Sequence, residues 1–494
     1  MRLLTFFGLL YLVAAVKCCD DSQQSTSKLR RSDSQAPIGS HPTIPVGKGD
    51  RFQGGRIIPR GLGTRLNGTS FNLHSSLNRK EIESALKGLA KEYGFETFTA
   101  PYQTYNGVSV GGGKIGGGCP DAYRIFFTAQ IHAQERGAAD NLLYFISDLL
   151  YAREHGTGLT YGPRTYTHKD VLKVLSTGIV FIPLVNPDGF EWDVQNNVCW
   201  RKNRNPVSSI PGNPRSIGVD LNRNYDFLWD FPNKFSHEVQ KTNPLALASN
   251  DPASPAFHGL SPFSEPETRN VKWIMDTYRK VRWYMDIHSN LGSVLYSWGD
   301  ARNQVTRPSM NFRNPTYNSV RGDLALDAYR EYISPSDLKT VRAVTRKTVE
   351  GMVATHSRNY TAEQAVGLYP TSGSGDDYSF SRSQVNPRLN KVYGFTMEFG
   401  FHNYHDPSGC TWYPTVEEYH KSVAEVGAGL MEYLLAVTEF GFGDPVSRPC
   451  GFHGGLRHRV QAWKLRVKDY LGDLKIKVSG SRLSKIRLFL RGGF

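Results

Sequence analysis

Three residues of this 494-residue chain have the types and the spacing that a metal site requires. His132 and Glu135 stand three positions apart in "AQIHAQE", where an apolar run gives way to a helical pattern, so their side chains point to one side. His288 ends another apolar run in "MDIHSN". Two imidazoles and a carboxylate suit Zn²⁺ and leave a fourth position open for water, as hydrolysis requires. A histidine satisfied within the core is the alternative for His288.

A fourth candidate, Glu398, interrupts the apolar run "YGFTMEF". Burying a carboxylate in such a run costs free energy, so its presence indicates a chemical role.

The elements that must position these residues alternate between strand and helix. Short apolar runs predict buried strands at 123–132, 178–186, 281–288 and 393–399. Helical patterns are found at about 137–154, 264–278 (Ser264 as cap), 336–355 and 415–436, and a further helix follows Ser76 or Asn78. This alternation predicts an α/β fold with a mostly parallel or mixed sheet. Sites in such sheets collect at the carboxyl ends of strands, where His132, Asn186, His288 and Glu398 fall.

The glycine-rich segment 111–118, "GGGKIGGG", lacks the GK[ST] ending and the following helix of a phosphate-binding loop. We expect a mobile loop there.

The ends of the chain differ in composition from its centre. Arg2 precedes an apolar run that is too short to cross a bilayer, which predicts a signal peptide at 1–17 and a secreted, extracellular protein. Residues 18–70 are rich in Ser, Gln, Gly and Pro, which predicts a disordered linker or a short pro-segment. The catalytic unit is expected at 71–438 and a basic extension at 439–494.

The net charge of +14 is concentrated in the C-terminal extension. Period-two alternation in "LKIKV" and "KIRLFL" predicts a short β extension, either a partial β-sandwich or a hairpin packed on the catalytic unit. Such a basic surface suits contact with acidic polysaccharide or another acidic surface, whereas a solvated appendage is the simpler alternative.

Beyond the signal region the cysteines are Cys119, Cys199, Cys410 and Cys450, which suit an oxidising compartment and allow three pairings.

Seven motifs follow one another in a familiar order: "IHAQE", "NPDGFEW", "WRKNR", "GVDLNRNYDF", "DIHSN", "YPTSGSGDDY" and "FTMEFG". Together they resemble the zinc carboxypeptidases of the digestive A/B type, the M14 peptidase family, over about residues 71–438. The resemblance implies a mixed, mostly parallel sheet of about eight strands flanked by helices. It also implies a secreted metallocarboxypeptidase that removes the C-terminal residue of peptides and proteins.

The resemblance implies a role for each residue of the metal site. His132, Glu135 and His288 hold one Zn²⁺ ion per chain. Asp220 accepts a hydrogen bond from the far nitrogen of His132, although a structural turn aspartate is the alternative there. Glu398 is the general base that takes a proton from water and passes it to the leaving amine.

The resemblance also implies a set of substrate-binding residues. Asn222 and Arg223 clamp the terminal carboxylate, for which the planar fork of arginine is suited. Arg201 stabilises the negative charge that develops on the scissile carbonyl. Tyr369 closes over bound substrate, and Asp376 lines the pocket for the terminal side chain.

The expected specificity depends on Asp376. A carboxylate at this position attracts a terminal Lys or Arg, and a charge-assisted bond contributes about 1.5–3 kcal/mol, roughly a 10- to 150-fold preference. The alternative is that Asp376 and the adjacent Asp377 are shifted by one position, so that Asp376 faces solvent.

Two other functions are compatible with a fold of this kind. One is a related deacylase that acts on small acylated amino acids, and the other is a non-catalytic binding protein that kept the fold. Arg201, Asn222 and Arg223 favour a substrate that ends in a carboxylate, namely a peptide or protein C-terminus. We expect no specific nucleic-acid partner, no transmembrane segment and a monomer.

Overall fold

The computed structural model describes residues 42–64, 73–117 and 122–441. The predicted signal peptide at 1–17 and nearly all of the predicted C-terminal extension lie outside these residues. No helix among the described residues is both long enough and apolar enough to span a bilayer.

The strands run in the chain order β1 (Glu96–Thr99), β2 (Gly111–Ile115), β3 (Ile125–Ala129), β4 (Leu159–Tyr161), β5 (Arg164–Tyr166), β6 (Ile179–Ile182), β7 (Trp283–Ser289), β8 (Leu291–Tyr296), β9 (Asn303–Gln304), β10 (Glu331–Tyr332), β11 (Thr361–Gln364) and β12 (Tyr393–Phe401). Eight of them form one sheet in the order β1-β2-β6-β3-β7-β12-β8-β11. Neighbours are parallel at β6/β3, β3/β7, β7/β12 and β8/β11, and antiparallel at the other three contacts. The mixed, mostly parallel sheet that the sequence predicts is confirmed.

The helices are α1 (Arg79–Tyr93), α2 (Ala138–His155), α3 (His168–Leu175), α4 (Pro187–Asn196), α5 (Phe231–Lys234), α6 (His237–Thr242), α7 (Pro266–Thr277), α8 (Pro335–His356), α9 (Gly375–Val385) and α10 (Val416–Phe440). Asn78 caps α1 by accepting a hydrogen bond from the backbone N–H of Glu81 at 3.0 Å. The cap of α7 is Glu265 and not Ser264 as the sequence suggests, since the Ser264 hydroxyl instead donates to the Glu265 carboxylate at 2.8 Å.

The central strands are buried on both faces, which explains their nearly continuous apolar sequences. Every residue of β3, β6 and β7 is buried. Because β3, β7 and β12 are parallel neighbours, their carboxyl ends meet at one edge of the sheet. His132, His288 and Glu398 therefore come from adjacent strands at the same edge.

Part of the glycine-rich segment is a strand of the sheet, so the expectation of a mobile loop is wrong for β2. The glycines leave room for neighbouring aromatic rings. A Cβ atom at Gly112 would lie 2.3 Å from the ring of Phe98, and a Cβ atom at Gly113 would lie 2.7 Å from the ring of Phe181. Packing against these rings outweighs the low strand propensity of glycine.

Residues 42–64, which we call the N-terminal strap, are ordered and pack on the catalytic unit, so the expectation of disorder is wrong for them. Ile44 and Phe52 are buried in the main hydrophobic core. Arg51 forms an ion pair with the buried Glu81 at 2.7 Å, and the backbone N–H of Gly63 donates to Asp148 at 2.8 Å. A composition rich in Gly and Pro does not reveal these distant partners.

Candidate active site

The turn between β3 and α2 carries His132 and Glu135. The side-chain amide of Gln130 donates to the carbonyl oxygens of His132, Ala133 and Glu135 at 3.0, 3.2 and 3.0 Å. Helix α2 begins only at Ala138, so the pair precedes the helix and is held by these hydrogen bonds. Gln130 is a positioning residue that the sequence did not single out, and its location just after a buried strand was the available indication.

Three candidate metal ligands converge beside this turn. Nδ1 of His132 lies 2.7 Å from Oε1 of Glu135 and 3.1 Å from Nδ1 of His288. Nδ1 of His288 lies 3.0 Å from Oε2 of Glu135. A tetrahedral site with bonds of about 2.0–2.1 Å holds neighbouring ligand atoms roughly 3.3 Å apart, so both the spacing and the donor set fit Zn²⁺. Among the described residues, this is the one cluster of His, Cys, Asp or Glu with such geometry.

Each histidine directs Nδ1 at the cluster because its other ring nitrogen has a carboxylate partner. Nε2 of His132 donates to Asp220 at 3.1 Å, and Nε2 of His288 donates to Asp286 at 3.0 Å. A proton held on Nε2 leaves the Nδ1 lone pair free, which is the tautomer that a metal requires. The sequence interpretation included Asp220 but missed Asp286. The spacing of Asp286 and His288 was the available indication, since residues two apart on a strand share a face.

Glu398 faces the cluster from β12, where it lies beside His288 in the parallel register. Its Oε2 atom is buried and has no hydrogen-bond partner within the described part of the chain. Burial, and next the negative charge of Glu135, raise the pKa of Glu398 to about 8. A carboxylate with one buried, unfilled acceptor atom is suited to exchange a proton with a group that enters the site.

Asp220 links His132 to two further candidates. Its Oδ2 accepts from Nε of Arg201 at 2.9 Å, and its Oδ1 accepts from the backbone N–H of Asn222 at 3.0 Å. Although burial opposes ionisation, Arg201 and His132 hold the pKa of Asp220 well below its usual range. Nη1 of Arg201 lies 3.3 Å from Nδ1 of His132, so the guanidinium faces the cluster. Asp220 is therefore both a turn residue and the partner of His132.

Asn222 and Arg223 lie in a single 3₁₀ turn, Leu221–Arg223. Oδ1 of Asn222 accepts from the backbone N–H of Gly375 at 2.9 Å. Nε and Nη2 of Arg223 donate to the carbonyl oxygen of Ala246 at 3.0 and 2.6 Å. These bonds fix the amide and the guanidinium at the edge of the same cleft.

One cleft, whose volume of about 460 Å³ includes space open to solvent, brings most of the candidates together. It is lined by His132, Arg201, Asn222, Arg223, Leu295, Ala365, Leu368, Tyr369, Thr371, Ser374, Asp376, Thr396 and Glu398. Tyr369 is only half-buried at this cleft. Asn186, also at a strand end, lies elsewhere: it is fully buried and caps α4 by accepting from the N–H of Gly189 at 2.9 Å.

The two adjacent aspartates at the start of α9 have different surroundings. Asp376 lines the cleft, is 5% exposed, and forms no ion pair with any described residue. Burial raises the pKa of Asp376. Asp377 is fully buried away from the cleft lining, and its Oδ2 accepts from the N–H of Gly299 at 2.9 Å. The alternative in which Asp376 faces solvent does not agree with this placement.

A disulfide bond ties the loop before Arg201 to the loop after β12. It joins Cys199 and Cys410, whose Cα atoms are 5.5 Å apart. Cys119 and Cys450 lie outside the described residues. The sequence left this pairing open among three.

Comparison with known proteins identifies related sequences and folds. The sequence model of peptidase family M14, described as zinc carboxypeptidase, matches residues 82–417. The chain is 25% identical over 287 residues to a carboxypeptidase B of Astacus astacus, a match that covers 58% of this chain and 73% of that protein. It is 31% identical over 180 residues to a carboxypeptidase B of Helicoverpa zea, covering 35% of this chain and 34% of that protein. The match thus spans about a third of the second relative.

Solved structures share the fold. A crystal structure of thrombin-activatable fibrinolysis inhibitor superposes with a TM-score of 0.54 at 19% identity, covering 76% of this chain and 78% of that chain. Carboxypeptidase A from Helicoverpa armigera gives a TM-score of 0.52 at 19% identity, again with 76% and 78% coverage. At this level of identity the likeness concerns the fold alone.

Proposed function

Because this chain belongs to the M14 family of zinc carboxypeptidases, we propose that it is a metallocarboxypeptidase that hydrolyses the last peptide bond of peptides and proteins. The observation that carries the proposal is the convergence of His132, Glu135 and His288 on one point that Glu398 also faces. These residues are the proposed metal ligands and the proposed general base. The proposed catalytic domain is 71–438.

The proposed mechanism assigns a task to each residue of the cleft. Zn²⁺, when bound, would act as a Lewis acid that polarises the scissile carbonyl and lowers the pKa of the attacking water. Glu398 takes a proton from the attacking water and delivers it to the leaving amine. Arg201, whose guanidinium is anchored by Asp220, stabilises the negative charge that develops on the scissile carbonyl oxygen.

The rest of the cleft is suited to a free C-terminus. Asn222 and Arg223 are proposed to bind the terminal carboxylate, since an amide and a guanidinium held at a cleft wall give charge-assisted hydrogen bonds in fixed directions. Tyr369 is proposed to cover the bound substrate from its half-buried position at the rim.

We further propose a preference for terminal Lys or Arg. The support is the carboxylate of Asp376, which lines the cleft without a cationic partner among the described residues. An incoming ammonium or guanidinium supplies that partner and stabilises the charged form of Asp376. Two of the relatives reported above are named carboxypeptidase B, and that name is consistent with the proposed preference.

Secretion is proposed from the N-terminal sequence and from the Cys199–Cys410 disulfide, which suits an oxidising compartment. The basic extension at 439–494 is proposed as a contact for acidic polysaccharide or another acidic surface.

A panel of peptides that differ only in the final residue tests the proposal. Mass spectrometry should show loss of one residue from the C-terminus, faster for Lys and Arg than for Leu, and abolished by a zinc chelator. Acylated amino acids in the same assay distinguish the deacylase alternative, which predicts their hydrolysis in preference to peptides. Equal trimming of Lys and Leu would remove the case for Asp376 but not for the carboxypeptidase.

A further inference from the structure

The end of the strand that carries Glu398 is irregular. Glu398 pairs with Ser293 of β8, whereas the next pair joins Phe401 to Leu291, so the register shifts between them. Gly400 lies within this irregularity at φ +74°, a conformation that favours glycine. Regular sheet pairing is therefore interrupted two residues after Glu398, and the chain needs another means of holding its path.

Side chains supply that support. The backbone N–H of Gly400 donates to the hydroxyl of Tyr360 at 3.0 Å, and the N–H of Phe401 donates to Oε1 of Glu418 at 3.0 Å. The Tyr360 ring also packs on the Phe401 ring, with centroids 5.1 Å apart. Two successive backbone donors at the end of β12 thus have partners from the segment before β11 and from α10.

The same side chains are joined to one another. The Tyr360 hydroxyl donates to Oε2 of Glu425 at 2.6 Å, and Nε of Arg358 donates to Oε1 of Glu425 at 2.7 Å. Arg358 also pairs with Glu418, and its guanidinium lies 4.7 Å from the Phe401 ring centroid. We call Arg358, Tyr360, Glu418 and Glu425 the strand-end clamp.

The charges of the strand-end clamp are mutually satisfied. Glu425 is fully buried and Tyr360 is 6% exposed. A buried network of charged side chains is tolerated when every side chain in it has hydrogen-bond partners of good geometry. Such a network is nevertheless weak evidence for added stability. Its distinctive feature is that it accepts hydrogen bonds from the backbone of the strand that carries Glu398.

We propose that the strand-end clamp positions Glu398 for proton transfer. The inference rests on the proposed role of Glu398 as general base. A general base must lie within hydrogen-bond reach of the proton that it takes, and a displacement of about 1 Å lowers turnover by up to roughly 100-fold. The hydrogen bonds to the backbone of Gly400 and Phe401 limit such displacement at the point where regular pairing with β8 is interrupted. Tyr360 and Glu418 are therefore positioning residues that act through the backbone of β12.

The first test compares two tyrosine variants. Tyr360→Phe keeps the ring but removes the acceptor for the Gly400 N–H. Tyr166→Phe is the matched control. The buried Tyr166 hydroxyl also donates to a glutamate of α10, Glu432, at 3.2 Å. Unlike Tyr360, it forms no hydrogen bond with a residue of β12. Both variants lose a buried hydroxyl bonded to α10, so thermal unfolding should reveal similar losses of stability.

We expect Tyr360→Phe to lower kcat about 10-fold or more on a peptide ending in Lys, with KM and zinc content unchanged within about twofold. Tyr166→Phe should retain the wild-type kcat. Equal kcat values in the wild type and Tyr360→Phe, equal losses in both variants, or loss of zinc from Tyr360→Phe would each overturn the inference.

A second pair of variants tests the clamp independently of Tyr360. Glu418→Ala removes the acceptor for the Phe401 N–H, whereas Glu418→Gln retains an amide oxygen in its place. We expect kcat to fall in Glu418→Ala and to be largely recovered in Glu418→Gln, while an unchanged kcat in Glu418→Ala contradicts the inference. An inactive wild type would refute the proposed function, whereas an active wild type with fully active clamp variants would refute only the clamp.

Discussion

The carboxylate of Asp286 lies 3.0 Å from Nε2 of His288, two residues along the same strand. Its other oxygen accepts a hydrogen bond from the hydroxyl of Thr128 at 2.6 Å, so the carboxylate holds both its own orientation and that of the imidazole. We expect Asp286→Asn to weaken zinc binding by about 10- to 100-fold, as is typical when the outer partner of a ligating histidine is removed. Competition with a chelator measures this affinity.

A matched control for that variant is Asp188→Asn. Asp188 is a buried carboxylate that also accepts from a threonine hydroxyl, Thr104 at 2.9 Å, but it contacts neither histidine of the cluster. Its replacement should leave zinc affinity unchanged. Equal affinities of wild type and Asp286→Asn would show that Asp286 does not support the metal.

Glu398→Gln removes the proposed base while preserving its shape. We expect kcat to fall by about 10²- to 10⁴-fold, because the amide cannot take a proton from water. Zinc content should stay at one ion per chain, which separates loss of the base from loss of the metal. Full peptidase activity in this variant would refute the assignment of Glu398.

Asp376→Asn removes the carboxylate proposed to attract a basic terminal side chain. We expect the ratio of kcat/KM for Lys-ending over Leu-ending peptides to fall by roughly 10- to 150-fold. Asp377→Asn is the control, because Asp377 accepts from Gly299 and does not line the cleft. A larger loss of preference in Asp377→Asn than in Asp376→Asn would assign the specificity to the other aspartate.

The Cys199–Cys410 disulfide closes a loop across 211 positions of sequence. In the chain-entropy description, closing a loop of this length limits the unfolded ensemble and adds about 5 kcal/mol to the free energy of unfolding, with about 2–5 kcal/mol commonly measured. We expect Cys199→Ser to lower the denaturant midpoint accordingly. An added reductant should lower the midpoint of the wild type but not that of the variant, provided that no other disulfide contributes.

The carboxyl group of Asp148 predicts a specific dependence of stability on pH. Burial raises its pKa to about 7 from the usual value of 3.8. Above pH 3.8 the folded chain keeps a proton that the unfolded chain has lost. Stability from this group is therefore complete below pH 3.8 and is lost as pH rises through about 7.

Asp148→Asn cannot ionise, so its unfolding free energy should rise relative to that of the wild type between about pH 4 and pH 7. The limiting slope is about 1.4 kcal/mol per pH unit. Denaturant titrations at several pH values across this window measure the difference. A difference that does not change with pH would show that Asp148 titrates normally.

Local sequence was sufficient for the parts of the site that lie on strands or beside them. The run ending in His288 is buried and the run around Glu398 is mostly buried, and their apolar sequences predict the strands to within a few residues. The three-residue spacing of His132 and Glu135 likewise indicated a shared side. These features depend on neighbours in sequence, which the pattern displays.

Features that depend on distant partners were not predictable in this way. The rings of Phe98 and Phe181 pack against β2 and favour its strand conformation. Glu81 and Asp148 bind the N-terminal strap and hold it in an ordered conformation. Asp286 falls between these cases, because its strand was predicted but its bond to His288 was not. Pairing of side chains across separate segments is a property of the folded chain.

The N-terminal strap limits how far the chain can be shortened at its N-terminal side without opening the hydrophobic core. A recombinant fragment that begins at residue 82, where the family match starts, would lack Ile44 and Phe52 and would expose the core that they cover. It would also leave Asp148 without the amide donor from Gly63. Expression should therefore include Ile44, and a cleavage that removes Ile44 or Phe52 is expected to lower the free energy of unfolding.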